Sequence, residues 1–360
     1  MKLSCLQENL NRALNIVGRA VAEKAILPIT KYVLLTTDED KLRLTATNLT
    51  ITISCSIPVE IEQEGSICVP AKDFSNFIST FPNDVIYLEK FPKNKISIIC
   101  SKSESKLAGL SSDDFPKPAK QPGVQFGLDS KELELALRRV IVAVAKDEYR
   151  AELTGVIIKT EDGLNLAASD GFRLAFERIS PIDEEIEILV PGSSLTELRK
   201  LLQGQEDKVL VTIGRSQVSF AIQDTELTTL LLTEVNKNAV YDAYRRISRD
   251  FTTKVEVKAL DLLRALRRTI IVGNDIKLDI MENELSISSR TEFGDSVSLV
   301  DSKLYGNPLT IILSGKYLIE VLSEVGSEKV SLCGTSSSNA LRIQPIEGGD
   351  FTYILMPLKL

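Results

Sequence analysis

The sequence contains one pattern three times, and this repeat limits the possible folds more than any other feature. Apolar residues at positions i, i+3, i+4 and i+7 are typical of an amphipathic helix. Such stripes begin at residues 10, 133 and 262, so each copy has the length of a domain and not of a short solenoid repeat. The stripes are Leu10, Ala13, Leu14 and Val17; Leu133, Ala136, Leu137 and Val140; and Leu262, Ala265 and Leu266, followed by Thr269 and Ile270.

A second helical signal and a run of alternating strands recur with the same spacing. Period-two alternation between the two helices of each copy predicts half-buried antiparallel strands. We therefore predict an α+β fold of three similar domains, each with two helices packed on antiparallel sheets. The polar segments 115–123 and 245–253 indicate the junctions, which gives domains at residues 1–122, 123–250 and 251–360. The second helices are predicted near Val69, Val190 and Leu313, and the strands near Leu42, Leu164 and Leu285.

The residue types present exclude several classes of enzyme and metal protein. The chain has no histidine, which removes Ser-His and Cys-His catalysis and histidine-ligated metals. Its five cysteines are scattered, so neither a disulfide framework nor a cysteine zinc site is expected. Nucleotide-binding glycine motifs and GxSxG are absent from the sequence. We predict no cofactor, no metal and no catalysis; the alternative is an enzyme built on Asp170, Asp113 or Asp114, or on a lysine.

The subcellular location is predicted from the absence of membrane-spanning and signal-peptide features in the sequence. No stretch approaches the roughly 18 apolar residues of a membrane span. The N-terminal segment MKLSCLQENL has no long apolar run of the kind that a signal peptide needs. A cytoplasmic protein that does not associate with a membrane is therefore expected.

Basic residues gather on the predicted helices, although the net charge of the chain is −7. Arg12 and Arg19 lie seven residues apart, hence on one face of the first helix. Acidic clusters fall elsewhere, at residues 36–40 and 182–187. A basic inner surface on an acidic protein suits phosphate contacts without base readout. The basic residues that recur on or beside the helices of the three repeats are Lys72, Arg138, Arg139, Lys146, Arg150, Arg199, Lys200, Arg264, Arg267, Arg268 and Lys316.

Simple geometry favours a dimer if the chain encircles DNA. A domain of this size is roughly 35 Å wide. A closed ring of three such domains leaves almost no hole, whereas a ring of six leaves a hole of about 35 Å by the same estimate. B-DNA is about 20 Å across. Two chains are thus the simplest way to surround a duplex.

Short motifs in a fixed order then connect the repeats with a known family. The segments ASDGFRLA from Ala168, YRRI from Tyr244 and the C-terminal YILMPLKL are specific in combination. With them the chain resembles the bacterial DNA sliding clamps, the β subunits of DNA polymerase III, over essentially its full length. The resemblance implies the DNA clamp fold and a head-to-tail homodimer that forms a six-domain ring around duplex DNA. It implies a non-catalytic processivity factor. Supporting motifs are AILPIT from Ala25, VPAKDF from Val69, DDFP from Asp113 and LTGV from Leu153.

The same resemblance implies a hydrophobic pocket between the second and third domains that binds short peptides. The partners would be the catalytic subunit of DNA polymerase III, the clamp loader and repair proteins, through motifs with a glutamine and a Leu-Phe pair. Leu174, Ile247 and Met356 would form walls, while Arg173 and Arg246 would contact the peptide backbone or an acidic neighbour. The implied pocket residues are Leu153, Ser169, Gly171, Phe172, Arg173, Leu174, Asp242, Arg246, Ile247, Ile354, Leu355, Met356, Pro357, Leu358, Lys359 and Leu360.

The resemblance also assigns residues to the DNA and to the dimer contact. Lys24 occupies a basic position associated with DNA. Ile271 and Val272, beyond the end of the third repeat's first helix, would meet Leu107 and Leu110 of the partner's first domain.

Two positions depart from the family pattern, and one further alternative stays open. Phe172 stands where the family commonly has histidine, which makes the pocket more apolar and insensitive to pH there. Asp242 stands where proline is common, which adds a charge at the rim. The alternative is a repeat scaffold that binds protein partners and no DNA. Loss of binding to circular DNA after linearisation would distinguish a ring from a scaffold or an enzyme.

Overall fold

The computed structural model describes residues 1–22, 27–116, 121–147, 149–233, 235–236, 239–247 and 250–358. Six of the seven helices in this part of the chain are the first and second helices of the three predicted repeats, and those predictions are confirmed. The seventh, which precedes the third repeat, was not predicted. The helices are α1 (Gln7–Val17), α2 (Ala71–Thr80), α3 (Ser130–Ile141), α4 (Gly192–Leu202), α5 (Ala239–Arg246), α6 (Ala259–Thr269) and α7 (Gly315–Glu324).

Each apolar stripe lies on the buried side of its helix. Leu10, Leu133 and Leu262 are almost completely inaccessible to solvent, as are the stripe residues that follow them except Ile270, which is half-buried. Burial of one such leucine contributes about 1.5–3 kcal/mol. Helices α1, α2, α6 and α7 have no side-chain hydrogen bond at their N-caps. Packing of the apolar face, rather than capping, therefore stabilises these helices.

Strands fill most of the remaining described chain, and every pairing between them is antiparallel. The strands are β1 (Lys2–Leu6), β2 (Tyr32–Asp38), β3 (Lys41–Thr47), β4 (Ile51–Pro58), β5 (Glu60–Gln63), β6 (Ser66–Pro70), β7 (Val85–Phe91), β8 (Lys95–Cys100), β9 (Ser103–Ala108), β10 (Val124–Asp129), β11 (Gly155–Thr160), β12 (Leu164–Ser169), β13 (Arg173–Ile179), β14 (Glu187–Pro191), β15 (Lys208–Ile213), β16 (Gln217–Ile222), β17 (Thr225–Leu230), β18 (Thr253–Lys258), β19 (Asp275–Ile280), β20 (Glu284–Thr291), β21 (Gly294–Gly306), β22 (Leu309–Ser314), β23 (Lys329–Gly334), β24 (Leu341–Pro345) and β25 (Asp350–Leu355).

The chain divides into two compact units. The first unit comprises Met1–Lys131 and Lys200–Leu231. It contains a five-stranded sheet in the order β5-β1-β7-β8-β9 and an eight-stranded sheet in the order β10-β15-β16-β17-β4-β3-β2-β6. Helix α1 packs on α2 and against β3 and β4.

The second unit comprises Glu132–Arg199 and Leu232–Leu360. Its twelve strands follow the order β14-β11-β12-β13-β25-β24-β23-β18-β21-β20-β19-β22. Strand β21 serves two neighbours in turn, because residues 294–301 pair with β20 and residues 302–306 pair with β18. Helix α6 packs on α7 and against β21.

Two strand pairings join consecutive repeats, and we call them junction ladders. In the first unit β4 pairs with β17, and in the second unit β13 pairs with β25. Ile53 faces Leu227 in the first ladder, and Ala175 faces Tyr353 in the second. All four residues are fully buried. Each junction ladder therefore extends one sheet, with its apolar core, from one repeat into the next. Among the described residues, no helix is long and apolar enough to span a membrane.

Candidate partner-docking and nucleic-acid sites

The SDGFR motif forms the tight turn between β12 and β13. Gly171 has φ +91°, a backbone conformation that glycine adopts without steric cost. Ser169 Oγ accepts a hydrogen bond from the Gly171 amide at 3.1 Å and donates one to the Arg173 carbonyl at 2.7 Å. Asp170 Oδ1 accepts from the amides of Phe172 and Arg173, both at 3.0 Å. This network fixes the turn and leaves the Phe172 side chain 64% exposed.

The end of the chain continues past β25 alongside this turn. The Met356 amide donates to the Phe172 carbonyl at 2.9 Å, and the Leu358 amide donates to the Ile312 carbonyl at 2.9 Å. Met356 is 44% exposed, whereas Ile354 is buried. Pro357 is half-buried and Leu358 is exposed, while Leu355 is buried; Lys359 and Leu360 lie outside the described residues. Two exposed apolar side chains, Phe172 and Met356, thus stand side by side on adjacent strand ends.

Helix α5 completes an apolar cluster beside the turn. Val240 and Tyr241 are buried in it, and Ile247 packs against it. The Phe176 ring stacks on Tyr244 with centroids 4.5 Å apart and meets Tyr241 edge-on at 6.1 Å. The predicted pocket residues Leu153, Leu174 and Ile354 belong to the same cluster. Asp242 is half-buried and Arg246 is exposed at its edge.

Sequence reasoning missed the aromatic part of this cluster. Apolar residues at positions 240, 241, 244 and 247 have helical spacing, which is the signal that could have revealed α5. The polar residues of segment 245–253 predict a junction between domains. Helix α5 overlaps this segment only at Arg245 and Arg246, and it packs against β12.

Arg173 does not have the role that was predicted for it. Its side chain is 2% exposed and its Nε donates to Asp170 Oδ2 at 2.9 Å. It also binds the Glu320 carboxylate, and its guanidinium lies 4.0 Å from the centre of the Tyr317 ring. A buried cation that is already paired is not available to a peptide, because its exposure would break these contacts. Arg173 instead braces the turn against α7.

The matching face of the first unit carries more hydroxyl side chains than the apolar cluster of the second unit. Equivalent strand positions in and beside the two junction ladders carry hydroxyl side chains in the first unit and apolar side chains in the second. Thr45 and Ser54 share a hydrogen bond of 3.0 Å within a groove of about 480 Å³. The paired positions are Thr45–Ser54 and Thr52–Thr228 in the first unit, and Ala167–Phe176 and Leu174–Ile354 in the second. An apolar peptide side chain would leave these hydroxyl groups without water in the first unit, at a cost that the second unit does not impose.

The predicted DNA-binding cations fall into two groups, of which the first is exposed. Lys72, Lys146, Lys200 and Arg267 are exposed on helices or loops. Arg150 is exposed as well, although its Nε donates to Glu152 Oε1 at 3.0 Å. Lys24 lies outside the described residues.

The second group is engaged within the protein, and Arg139 is the clearest correction. Its side chain is 1% exposed, and it pairs with Glu177 Oε1 at 3.0 Å. Its Nη2 donates to the Val325 carbonyl at 2.7 Å, and the guanidinium lies 5.3 Å from the Phe351 ring centre. Arg139 therefore cannot contact DNA as predicted. It connects α3 to the end of α7.

Arg138 and Arg199 are also neutralised by neighbouring carboxylates. Arg199 contacts Glu134 and Glu324, both at 3.2 Å. Arg138 Nε lies 3.7 Å from Glu324 Oε2. The side chains are one quarter to one third exposed. Two glutamates therefore compete with any phosphate for these arginines, whose contact with DNA stays a prediction.

The residues predicted for the dimer contact lie on open surfaces. Ile271 is 83% exposed just after α6, and Val272 is half-buried. Leu107 lies on β9, which is an edge strand of the five-stranded sheet, and Leu110 bridges to Cys68 just beyond it. Residues 294–301 of β21 pair only with β20 within the described chain. Each unit therefore presents an unpaired strand edge, which is a template for pairing with another chain.

Comparison with known proteins places the whole chain in one family. Its residues 1–119, 127–234 and 244–359 match, in order, the N-terminal, central and C-terminal domain models of the DNA polymerase III beta subunit. The chain belongs to the DNA polymerase III beta subunit family. This result confirms the resemblance and the three similar clamp domains.

Relatives of this family member are similar along their full length. The beta sliding clamps of Synechococcus elongatus and Pseudomonas aeruginosa are 29% and 26% identical to it, with complete coverage of both chains in each case. The crystal structure of the DNA polymerase sliding clamp from Bacillus subtilis matches with a TM-score of 0.94 and 25% identity, covering 100% of this chain and 99% of that one. The beta subunit structure from Streptococcus pyogenes gives the same TM-score and identity with complete coverage.

The buried pair in this beta-subunit family member gives a prediction for pH. Burial raises the pKa of Glu177 to about 7, and the Arg139 guanidinium opposes that effect. Because the pKa is higher in the folded state, folding takes up a proton, and stability is lost as the pH rises from about 5 to 7. We expect the free energy of unfolding to fall across this range by about 3 kcal/mol at most. Glu177→Gln should flatten the profile in denaturant titrations.

The control for this prediction is a glutamate on the surface. Glu62, which pairs with Lys2 in an exposed position, can be changed to glutamine with the same loss of charge. That variant should keep the wild-type slope. Parallel profiles for wild type and Glu177→Gln would show that Glu177 stays ionised in the folded protein.

Proposed function

We propose that two copies of this chain form a closed ring that surrounds duplex DNA without sequence specificity and holds DNA polymerase and other replication or repair proteins on it. The role is non-catalytic, and the protein acts in the cytoplasm. The observation that carries the proposal is the match of three consecutive clamp domains along the whole chain. The domains are assigned to residues 1–122, 123–250 and 251–360, and the ranges of the three domain matches support these boundaries.

Ring closure follows from the internal repetition of the junction ladders. In each ladder, a strand that leaves a hairpin pairs with the last strand of the next repeat. The third repeat has such a strand in residues 294–301 of β21, and the first repeat has its last strand in β9. Both edges are unpaired within the described chain. We infer that β21 of one protomer pairs with β9 of its partner, which makes a head-to-tail contact that closes after two copies.

The intrachain ladders also support a particular register for this third ladder. Ile51 faces Thr229, and Arg173 faces Leu355. On the strand that leaves the hairpin, Gly294 is equivalent to Ile51 and Arg173. On the last strand of the repeat, Leu107 is equivalent to Thr229 and Leu355. Gly294 should therefore face the partner's Leu107. The hairpin pairs that establish this correspondence are Thr47–Thr52, Ser169–Leu174 and Arg290–Asp295 for the first strand, and Val218–Thr229, Leu341–Leu355 and Ile96–Leu107 for the second.

This register places Ser296 opposite the partner's Ser105 and Asp295 opposite the partner's Lys106. The opposite charges favour the pairing, although exposed ion pairs contribute at most about 1 kcal/mol. In the intrachain ladders the amide-to-carbonyl bonds from Leu230 to Thr50 and from Met356 to Phe172 mark the hydrogen-bonded rungs. The two serines then fall on a non-hydrogen-bonded rung, where side chains approach most closely.

A disulfide test can check the register and the encirclement of DNA together. Ser105→Cys with Ser296→Cys should give a covalent dimer on oxidation, because directly opposed side chains in such a rung are within reach of a disulfide. The reduced protein is first allowed to assemble on nicked circular DNA and is then oxidised. The covalently closed ring should remain on the DNA through a wash in strong salt. Cutting the circle should release it. The amount of protein that stays bound to the DNA is measured by gel filtration.

The control variant moves one of the two cysteines by a single residue. Lys106→Cys with Ser296→Cys places one thiol on the opposite face of the strand, so cross-linking should be lost. A locked dimer that washes off circular DNA would favour a scaffold that binds no DNA. A shifted variant that cross-links as well as the in-register one would contradict the register.

We further propose that partner proteins dock at the apolar cluster beside the SDGFR turn. An extended peptide can place apolar side chains between Phe172 and Met356, above the buried residues Leu174 and Ile354. Arg246 is exposed at the edge and can pair with an acidic residue or a peptide carbonyl. Peptides with a glutamine and a Leu-Phe pair, from the catalytic subunit of DNA polymerase III and the clamp loader among others, fit this chemistry.

A further inference from the structure

Helix α5 forms one side of the proposed docking surface, and its own length does not hold it there. It spans Ala239–Arg246, which is eight residues, whereas isolated helices shorter than about 12 residues are marginal in water. It packs against β12. Two predicted pocket residues lie at its end, because Arg246 is its last residue and Ile247 follows directly. The contacts that fix α5 on the sheet therefore also fix these two residues.

Aromatic rings attach α5 to the sheet. The ring of Phe176, on β13, stacks on the ring of Tyr244, on α5, with an angle of 1° between the planes and 4.5 Å between the centroids. Tyr241, three residues earlier on the helix, meets Phe176 edge-on at 77°. Such pairs stabilise beyond the area that they bury. The Ile247 amide donates to the Tyr244 carbonyl at 3.3 Å, so the position of Tyr244 determines where Ile247 lies.

The polar contacts between α5 and the sheet are weaker than this stack. The Arg245 guanidinium pairs with Glu161, but both side chains are exposed, and exposed ion pairs contribute little. The Lys159 ammonium lies 5.7 Å from the centre of the Tyr241 ring. The Tyr241 hydroxyl is buried and has no hydrogen-bond partner among the described residues. Attachment of α5 therefore depends on its apolar face, in which Tyr244 supplies the stacked ring.

Phe176 distinguishes this junction from the other two. The strand register gives Ser54 as its equivalent in the first repeat and Val297 as its equivalent in the third. The Ser54 hydroxyl shares a hydrogen bond with Thr45, and Val297 is exposed. Neither side chain offers a ring on which a helix can stack. The aromatic residue therefore coincides with the junction that carries α5.

We propose that Tyr244 and Phe176 are positioning residues of the partner-docking surface, because their stack holds α5 on the sheet and so places Ile247 and Arg246 for an incoming peptide. This inference rests on the proposed docking function. Tyr244 acts through α5 and does not touch the peptide. Without the stack, α5 would lie on the sheet for only a fraction of the time, and the apparent affinity would fall by that fraction.

Substitutions of the tyrosines in the intact dimer test the stack. Tyr244→Ala removes the ring and should weaken a fluorescent peptide with a glutamine and a Leu-Phe pair by at least about tenfold. Tyr244→Phe keeps the ring and should stay within about twofold of wild type. Tyr241→Phe, which removes only the unpartnered hydroxyl, should do the same. Tyr305→Ala, at an exposed tyrosine of β21, is the control and should keep the affinity. Affinity is measured by fluorescence anisotropy.

Hydrogen exchange distinguishes positioning from direct contact. In Tyr244→Ala the α5 amides should exchange faster than in wild type, and excess peptide should restore their protection, because a ligand stabilises the state that binds it. If these amides stay protected without peptide while affinity is lost, Tyr244 contacts the peptide itself and the inference is overturned. Unchanged affinity in Tyr244→Ala would overturn it as well, while the docking site stands. If wild type binds no peptide, the docking site and the inference fail together.

Discussion

Deleting Met356–Leu360 should weaken the binding of a Leu-Phe-containing peptide by at least about 2 kcal/mol, or roughly 30-fold. The deletion removes Met356, whose exposed side chain stands beside Phe172, and with it one wall of the docking surface. Few large anchors carry most of the energy in such complexes. Fluorescence anisotropy with a labelled peptide measures the loss directly.

The truncation should leave the rest of the protein intact. Residues Ile354 and Leu355 remain in β25, so the junction ladder to β13 keeps its rungs. The variant should therefore remain dimeric in sedimentation and should still be retained on circular DNA. Leu260→Ala, at an exposed leucine of α6 that is not among the pocket residues, is the control and should keep the affinity. Unchanged peptide affinity in the longer truncation, with the dimer intact, would mean that partners dock elsewhere.

Replacing Ile271 and Val272 by alanine should convert the dimer into a folded monomer. Ile271 is 83% exposed just after α6, so its side chain is accessible to the partner protomer in the proposed contact. A loss of about 2 kcal/mol at one contact is of hot-spot size. Because a two-fold ring contains the contact twice, the loss for the dimer is about 4 kcal/mol, or roughly a thousandfold in Kd. Sedimentation at micromolar concentration measures the association.

A leucine on the same helix provides the control. Leu260 is exposed near the start of α6 and takes no part in the proposed contact. Leu260→Ala should leave the dimer unchanged. Circular dichroism should show that the double variant keeps its fold. A double variant that remains fully dimeric would show that the interface is misplaced.

The repeat made most of the fold predictable from the sequence. The apolar stripes gave the helices because a helix must bury one face, and the alternating runs gave the strands for the same reason. Because the pattern occurs three times, a helix or strand that is poorly defined in one repeat could be assigned by comparison with the other two repeats. The SDGFR turn could be placed at the end of a strand because glycine is favoured at a positive φ.

The roles of individual arginines could not be predicted in this way. Arg139 and Arg268 occupy equivalent positions outside the apolar stripes of α3 and α6, yet one is buried and the other exposed. The difference comes from Glu177 and Val325, which cover the flank of α3 from distant parts of the sequence. Arg173 was misassigned for the same reason, since its partner Glu320 lies on another repeat. Local pattern identifies a polar position but not the tertiary neighbour that neutralises it.

The two unpaired strand edges on each chain have a consequence for the way a clamp opens. When one of the two contacts between protomers separates, the other still holds the chains together, so the separated edges face each other at an effective concentration set by the tether. Reclosure is then an intramolecular step, whereas complete dissociation requires both contacts to separate at once. In the proposed ring of two identical joints, opening of one joint therefore costs less free energy than complete dissociation. A substitution at the joint that costs about 1.4 kcal/mol per contact should favour opening by about tenfold and complete dissociation by about a hundredfold.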